Sequence, residues 1–179
     1  MENIRLHDKE FTPYIQSGQI LAAVEEVAAR INHDFRGRNP LFLVVLNGAF
    51  VFAADLIRRF QGPCDVTFIK LSSYSGTLTT TYVREIMGLD MDVTGRSVIV
   101  IEDIIDTGIT MDNMLKKLIG LGASEVKVAT LLYKPEAFRK KFHIDYVGMQ
   151  IPNDFIVGYG LDYDGLGRNL PDIYQIVKA

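Results

Sequence analysis

Three carboxylates, Glu102, Asp103 and Asp106, stand beside the small turn Thr107-Gly108-Ile109-Thr110 at the end of the run Val98 to Thr110. Gly108 permits a backbone turn that a side chain would obstruct, and a helix opening there leaves amide hydrogens unpaired. Those amides, the positive end of the helix dipole and two threonine hydroxyls make an uncharged cradle for a phosphate dianion. Taken alone this is a weak signal, and the acids sharpen it. A phosphate roughly 6 Å from a carboxylate is repelled by about 3 kcal/mol per pair of unit charges at an effective dielectric near 20, so something must separate them. A sugar does so if its hydroxyls donate to Glu102 and Asp103 while its phosphate rests on the turn, and a bound Mg²⁺ helps. The ligand implied is a ribose phosphate. Each acid also has an ordinary explanation, Glu102 and Asp103 as a solvated strand end and Asp106 as a helix cap; the constellation as a whole is what favours a site.

The elements that must hold these residues follow from hydrophobic pattern. Val98-Ile99-Val100-Ile101 shows no polar alternation and reads as a strand covered on both faces, the usual condition of a parallel sheet; Met111, Leu115 and Leu118 then recur at helical spacing, and Gly120 and Gly122 end that helix. Upstream, Ile20, Val24, Val27 and Ile31 mark an amphipathic helix with Ser17 as its cap. Leu41 to Leu46 is a buried strand, Asn47-Gly48-Ala49 a tight turn, and Phe50 to Phe60 a helix with Phe50, Ala53, Ala54 and Ile57 inward. A strand near Val66 to Leu71 leads into the polar stretch Ser72 to Thr81, read as a mobile loop, with Tyr82 to Met87 as a returning arm. Val126 to Leu132 supplies a further strand. Strands alternating with helices predict right-handed crossovers and a parallel sheet whose ligands collect beyond the carboxyl ends of the strands; Asn47-Gly48, Glu102 to Thr110 and Lys134 all fall there.

At 179 residues and 48% apolar content the chain suits one globular domain spanning residues 1–179. A net charge of −3 gives no general attraction to nucleic acid. The single Cys64 forms no internal disulfide, and neither a signal peptide nor a membrane-length apolar run is present, so the cytoplasm is the expected location. His7, His33 and His143 are scattered rather than at metal-ligand spacing. No G-x-x-x-x-G-K-[ST] loop or G-x-G-x-x-G fingerprint occurs, which removes the best support for nucleoside triphosphate or dinucleotide binding.

The run Glu-Asp-Ile-Ile-Asp-Thr-Gly-Ile-Thr at 102–110 resembles the phosphoribosyl-pyrophosphate motif of the hypoxanthine-guanine phosphoribosyltransferases, in the purine/pyrimidine type I phosphoribosyltransferase family. The acid at Asp106 is typical of the branch that uses 6-oxopurines, and the resemblance extends from about Leu41 to Val177. It implies an α/β fold: a central, mostly parallel twisted sheet flanked by helices, with a small hood and a mobile β-arm lid. It also implies Mg²⁺-dependent purine salvage, moving 5-phosphoribosyl from phosphoribosyl pyrophosphate to N9 of hypoxanthine or guanine.

Residue by residue, the resemblance makes Asp106 the catalytic acceptor of a purine proton, facing N7. Glu102, Asp103, Asp106, Thr107, Gly108, Ile109 and Thr110 hold the phosphoribosyl group and its 5′-phosphate. Lys134 donates to the purine 6-oxo group, although strand-end lysines are usually exposed. Phe155 covers the purine face, Ile156 adds backbone contacts, and Asp162 lies near the base and supports a second Mg²⁺ beside the one held at Glu102 and Asp103. Asn47, Gly48 and Arg168 meet pyrophosphate, for which a guanidinium is suited. Ser73-Tyr74 is the lid dipeptide that excludes water from an electron-poor ribosyl carbon. Phe155 also suits a core aromatic, Asp162 a turn and Arg168 the surface. Many relatives carry lysine in place of Asn47 and a basic residue in place of Ile109, which leaves direct charge contacts open at both positions. Homodimers or homotetramers are expected, with no nucleic-acid or membrane partner. Two rival readings keep the acids: a regulator of the same fold that senses a nucleotide and binds nucleic acid, and a metal-dependent phosphohydrolase.

Overall fold

The computed structural model describes residues 2–75 and 81–178. Its elements are β1 (Ile4–Leu6), β2 (Lys9–Ile15), α1 (Ser17–Asp34), β3 (Leu41–Leu46), α2 (Phe50–Ile57), β4 (Asp65–Ser75), β5 (Thr81–Met87), β6 (Ser97–Ile105), α3 (Ile109–Gly120), β7 (Glu125–Tyr133), β8 (Tyr146–Gln150), β9 (Ile156–Val157) and β10 (Ile173–Ile176). A six-stranded sheet runs in the order β5-β4-β3-β6-β7-β8, with β5 alone antiparallel to its neighbour. A second, antiparallel sheet of β1-β2-β10-β9 forms the hood. It joins the two ends of the chain, and β1, β2 and β10 are too short and mixed in pattern to stand out in the sequence.

The unbroken apolar strands are explained by cover on both faces. On one side Phe42, Val44, Ile99 and Ile101 meet Ile20, Val24, Val27 and Ile31 of α1 and Phe52, Ala53 and Leu56 of α2. On the other, Leu41, Leu43, Val45, Val98 and Val100 meet Met111, Met114 and Leu118 of α3. Each fully buried side chain of this size contributes about 1.5–3 kcal/mol of transfer free energy, so these two layers fix the frame on which the loops sit.

Several expectations need correction. The cap of α1 is Gln16, whose N–H donates to the Gln19 side chain at 3.1 Å, while the Ser17 amide donates to Asp172 Oδ1 at 2.6 Å and so ties α1 to the hood. In α2, Phe50 is 45% exposed and Ala54 is also exposed, and Phe52, Ala53 and Leu56 turn inward. Both sets have helical spacing, and contact with Phe42 and Val44 selected the second. The polar stretch after Leu71 is strand as far as Ser75, paired with β5 from Thr81, because ladder hydrogen bonds satisfy a backbone whatever its side chains. The lid dipeptide lies in that arm, Ser73 opposite Val83 and Tyr74 opposite Tyr82; residues 76–80 of the expected mobile loop lie outside the described residues.

Candidate active site

Strand β3 pairs with β4 on one side and β6 on the other, so successive crossovers leave it in opposite directions. The carboxyl ends of β3 and β6 therefore flank the crevice where open α/β sheets bind ligands. Pairing of β3 with β6 ends at Val44–Ile101, whereas β6 continues beside β7 as far as Ile105–Tyr133. Glu102 and Asp103 are thus part of the strand, not a loop beyond it, at the point where β3 has left their flank. The space is taken by the loop after β3. Its Leu46–Asn47 peptide is cis, and Gly48 lies so close to Asp103 that a Cβ there would sit 1.6 Å from Oδ2. On the other side of that loop the Gly48 carbonyl oxygen would be 2.2 Å from a Cβ on Gly160. Three layers, Gly160, Gly48 and Asp103, are stacked at distances that only bare backbone permits.

Neighbouring residues of a strand point to opposite sides, and the acid pair divides accordingly. Glu102 lines a hollow with Asp106, Thr107, Gly108, Ile109 and Thr110, while Asp103 lies under Gly48. Glu102 Oε2 is shut away from solvent and, among the described residues, has no hydrogen-bond partner. Burial, and then the charge of Asp103, hold its carboxyl well above the usual range. Asp103 is pushed up to about 6 by burial, against the hydrogen bond from the Ile104 N–H at 2.9 Å and the nearby Arg168 charge; Asp162 pushes it further up. Two carboxylates held this way, one with an orphaned oxygen, suit hydroxyl donors or a cation. Among the described residues no three His, Cys, Asp or Glu side chains gather into a metal cage, so Mg²⁺ at these acids needs ligand oxygens to complete its shell.

The hollow at the turn has a volume of about 110 Å³. That falls below the roughly 300–1,000 Å³ of sites that enclose a whole ligand, and it suits one group of a larger molecule. Gly108 is the N-cap of α3, with φ +79° and no side-chain cap. Phe138 and Phe142 close over it, and a Cβ would meet the Phe138 ring at 2.5 Å. The Thr107 hydroxyl accepts from the Ile109 N–H at 3.4 Å, and the Thr107 carbonyl from the Arg139 N–H at 3.2 Å. Asp106 is therefore not the cap. Its side chain is 48% exposed and faces the Lys134 ammonium, Nζ to Oδ2 3.8 Å. Lys134 is buried, contrary to the ordinary behaviour of a strand-end lysine, because its backbone continues the sheet through a hydrogen bond to Ile105 O at 3.0 Å.

The hood segment completes the crevice. Phe155 is 46% exposed and so not a core aromatic, while Ile156, in β9, is buried. Asp162 and Arg168 are bound to each other at 2.6 Å; Arg168 Nη1 also donates to Gly160 O at 2.7 Å, and Asp162 Oδ2 accepts from the Gly165 N–H at 2.7 Å. These bonds, with the charge of Arg168 on Asp103, bring Arg168, Asp162, Gly48 and Asp103 into one cluster. Asn47 is exposed beside it. Sequence reasoning missed Gly160, the aromatic cover of Phe138 and Phe142, and Tyr159, whose hydroxyl donates to Asp55 Oδ2 at 2.6 Å and anchors the loop to α2. Nothing local marks them, since each matters through a partner far along the chain.

Residues 14–164 match the family described as phosphoribosyl transferase domain. A hypoxanthine-guanine phosphoribosyltransferase of Mycobacterium tuberculosis is 39% identical over 88% of this chain and 85% of its own length. The chain belongs to the hypoxanthine-guanine phosphoribosyltransferase family. A member from Aquifex aeolicus is 35% identical over 98% of this chain and 99% of its own. Among solved structures, a hypoxanthine-guanine phosphoribosyltransferase from Bacillus anthracis superposes with a TM-score of 0.88 at 41% identity, over 93% of this chain and 98% of that one. The family's parallel sheet and hood are the two sheets described above. Among the described residues, no helix is long and apolar enough to cross a membrane.

Proposed function

We propose that this protein transfers the 5-phosphoribosyl group of phosphoribosyl pyrophosphate to N9 of hypoxanthine, and of guanine, releasing the nucleoside monophosphate and pyrophosphate in purine salvage. The observation that carries the reading is the buried, unpartnered Glu102 carboxylate oxygen in the same hollow as the Thr107–Thr110 turn. That hollow pairs acceptors for sugar hydroxyls with neutral donors for a phosphate, and a phosphoribosyl group presents both.

In this reading the turn amides and threonine hydroxyls hold the 5′-phosphate, and Glu102 and Asp103 accept from the ribose hydroxyls. Gly48, Asn47 and Arg168 meet pyrophosphate, the guanidinium exchanging Asp162 for a phosphate oxygen. Phe155 stacks on the purine, Ile156 contacts its edge through the backbone, and Lys134 donates to the 6-oxo group. As the N9 lone pair bonds to the ribosyl carbon, the bond from that carbon to oxygen breaks and its electron pair leaves with pyrophosphate; Asp106 accepts the N7 proton. Glu102 and Asp103 would help hold the Mg²⁺ at the sugar and Asp162 a second one, each ion completing its shell with ligand oxygens; when bound, the metal neutralises charge on the leaving group. Ser73 and Tyr74 belong to the arm that shields the reacting carbon.

Incubation with phosphoribosyl pyrophosphate, Mg²⁺ and each of hypoxanthine, guanine and xanthine, with products identified by mass, tests this. The expected result is base-dependent formation of the matching nucleoside monophosphate with pyrophosphate. Phosphate release without a base would identify a hydrolase. Nucleic-acid binding with no product would identify a regulator.

A further inference from the structure

The N-terminal hairpin β1–β2 carries none of the groups assigned above, yet its turn is built into the hood at one place. His7 and Asp164 both have positive φ, +49° and +46°, and the turns they belong to face each other. His7 Nε2 lies 3.3 Å from the Asp164 carbonyl oxygen, and the His7 ring meets Tyr163 edge-on, 5.6 Å between centroids at 78°. The Tyr163 hydroxyl donates to Asp8 Oδ1 at 2.7 Å, a bond that raises the phenol above its ordinary range and lowers the carboxyl.

Tyr163 in turn touches Phe155, ring to ring, 5.8 Å at 84°, and the buried Phe11 of β2 approaches Phe155 at 6.3 Å and 43°. Phe155 is nearly half exposed, and a free phenyl there would have to give up rotamer freedom each time a flat ligand stacked on it. Held between Tyr163 and Phe11, it is already oriented.

We propose that the hairpin turn, acting through Tyr163, sets the tilt of the Phe155 ring and thereby the affinity for the purine base. Tyr163 is a positioning residue and Asp8 its anchor. The inference rests on the reading of Phe155 as the base-stacking ring.

The test is steady-state kinetics of the full chain with hypoxanthine varied at saturating phosphoribosyl pyrophosphate, and the reverse, in Tyr163→Leu, Tyr163→Phe, Asp8→Ala and Phe155→Leu. Edge-to-face pairs of this kind correspond to about two- to twelvefold in binding, and an effect exerted through Phe155 does not exceed loss of that ring, so Tyr163→Leu is expected to raise the hypoxanthine KM by about two- to fivefold. The KM for phosphoribosyl pyrophosphate stays within about twofold, since the Asp162–Arg168 pair and the approach of Gly160 to Gly48 do not pass through the Tyr163 ring. Tyr163→Phe, which keeps the ring, restores most of the hypoxanthine affinity that Tyr163→Leu loses. Asp8→Ala, at an exposed site, shifts the hypoxanthine KM alone, in the same direction and by less; it decides the question if Tyr163→Leu does not fold. An unchanged hypoxanthine KM in Tyr163→Leu and Asp8→Ala, or an equal rise for both substrates, overturns the proposal while a raised value in Phe155→Leu leaves the stacking reading standing. An unchanged hypoxanthine KM in Phe155→Leu overturns the stacking reading and the proposal with it.

Discussion

The turn half of the crevice is one continuous piece of chain, Glu102 to Met111, whereas the hood half gathers Phe155, Asp162 and Arg168 through contacts made far along the sequence. The turn is set by a strand and a helix whose apolar faces are buried on both sides of the sheet. The hood loop is set by Gly160 against Gly48, Tyr159 on Asp55, Asp172 on Ser17 and Tyr163 on Asp8. The difference teaches where each kind of error is felt. Changes to the turn backbone act on phosphoribosyl pyrophosphate, and a change to the reacting carboxylate of Asp106 acts on turnover. Changes at Phe155 or Tyr163 of the hood loosen a platform and act on the affinity for the base, whereas Arg168 of the same half acts on pyrophosphate.

The largest effect is expected from Asp106→Ala. Loss of a proton acceptor is expected to lower kcat by about 10²–10⁴-fold while binding of phosphoribosyl pyrophosphate, measured by calorimetry, falls far less. Equal losses would remove its assigned role as proton acceptor.

Asp103 supplies the next effect. Its folded pKa of about 6 lies above its ordinary 3.8, so the folded chain binds the extra proton between those values. Its contribution to stability is most favourable below about pH 4, declines as pH rises, and levels off above about 6, a total change of up to about 3 kcal/mol. Urea denaturation in metal-free buffer at pH 4.5 and 7.5 is expected to show this loss in the wild type and a smaller one in Asp103→Asn. A variant with the wild-type slope would remove Asp103 as its source.

Gly108→Ala introduces a Cβ that meets the Phe138 ring at 2.5 Å in a left-handed residue. The backbone term alone is about 1–2 kcal/mol, so kcat/KM for phosphoribosyl pyrophosphate is expected to drop at least about fivefold. A drop confined to hypoxanthine would mean that the turn serves the base and not the phosphoribosyl group. Phe155→Leu gives the smallest effect, a rise in hypoxanthine KM of about fivefold with phosphoribosyl pyrophosphate unaffected.

Much of the turn half was legible because its information is local. Unalternated β-branched residues announced β6, the spacing of Met111 and Leu118 announced α3, and Gly108 between them announced the turn. Even there the reach of β6 through the acids was not readable, since it depends on β7 continuing alongside after β3 departs. The ordinary alternative for Asp106 is set aside by a similar contact: it has the chemistry of a cap, but the ammonium of a buried Lys134 stands across from it.

By itself the sequence determined an α/β sheet buried on both faces and a phosphate-type turn following three acids, because hydrophobic period and glycine placement act over a few residues. It took long-range packing to part Glu102 and Asp103 to opposite sides, to bury Lys134, to turn Phe50 outward, and to bring Phe11 and the Asp8-bound Tyr163 against Phe155. Those outcomes depend on which surfaces meet, and residues more than a hundred positions apart carry no local mark of the contact that orients them.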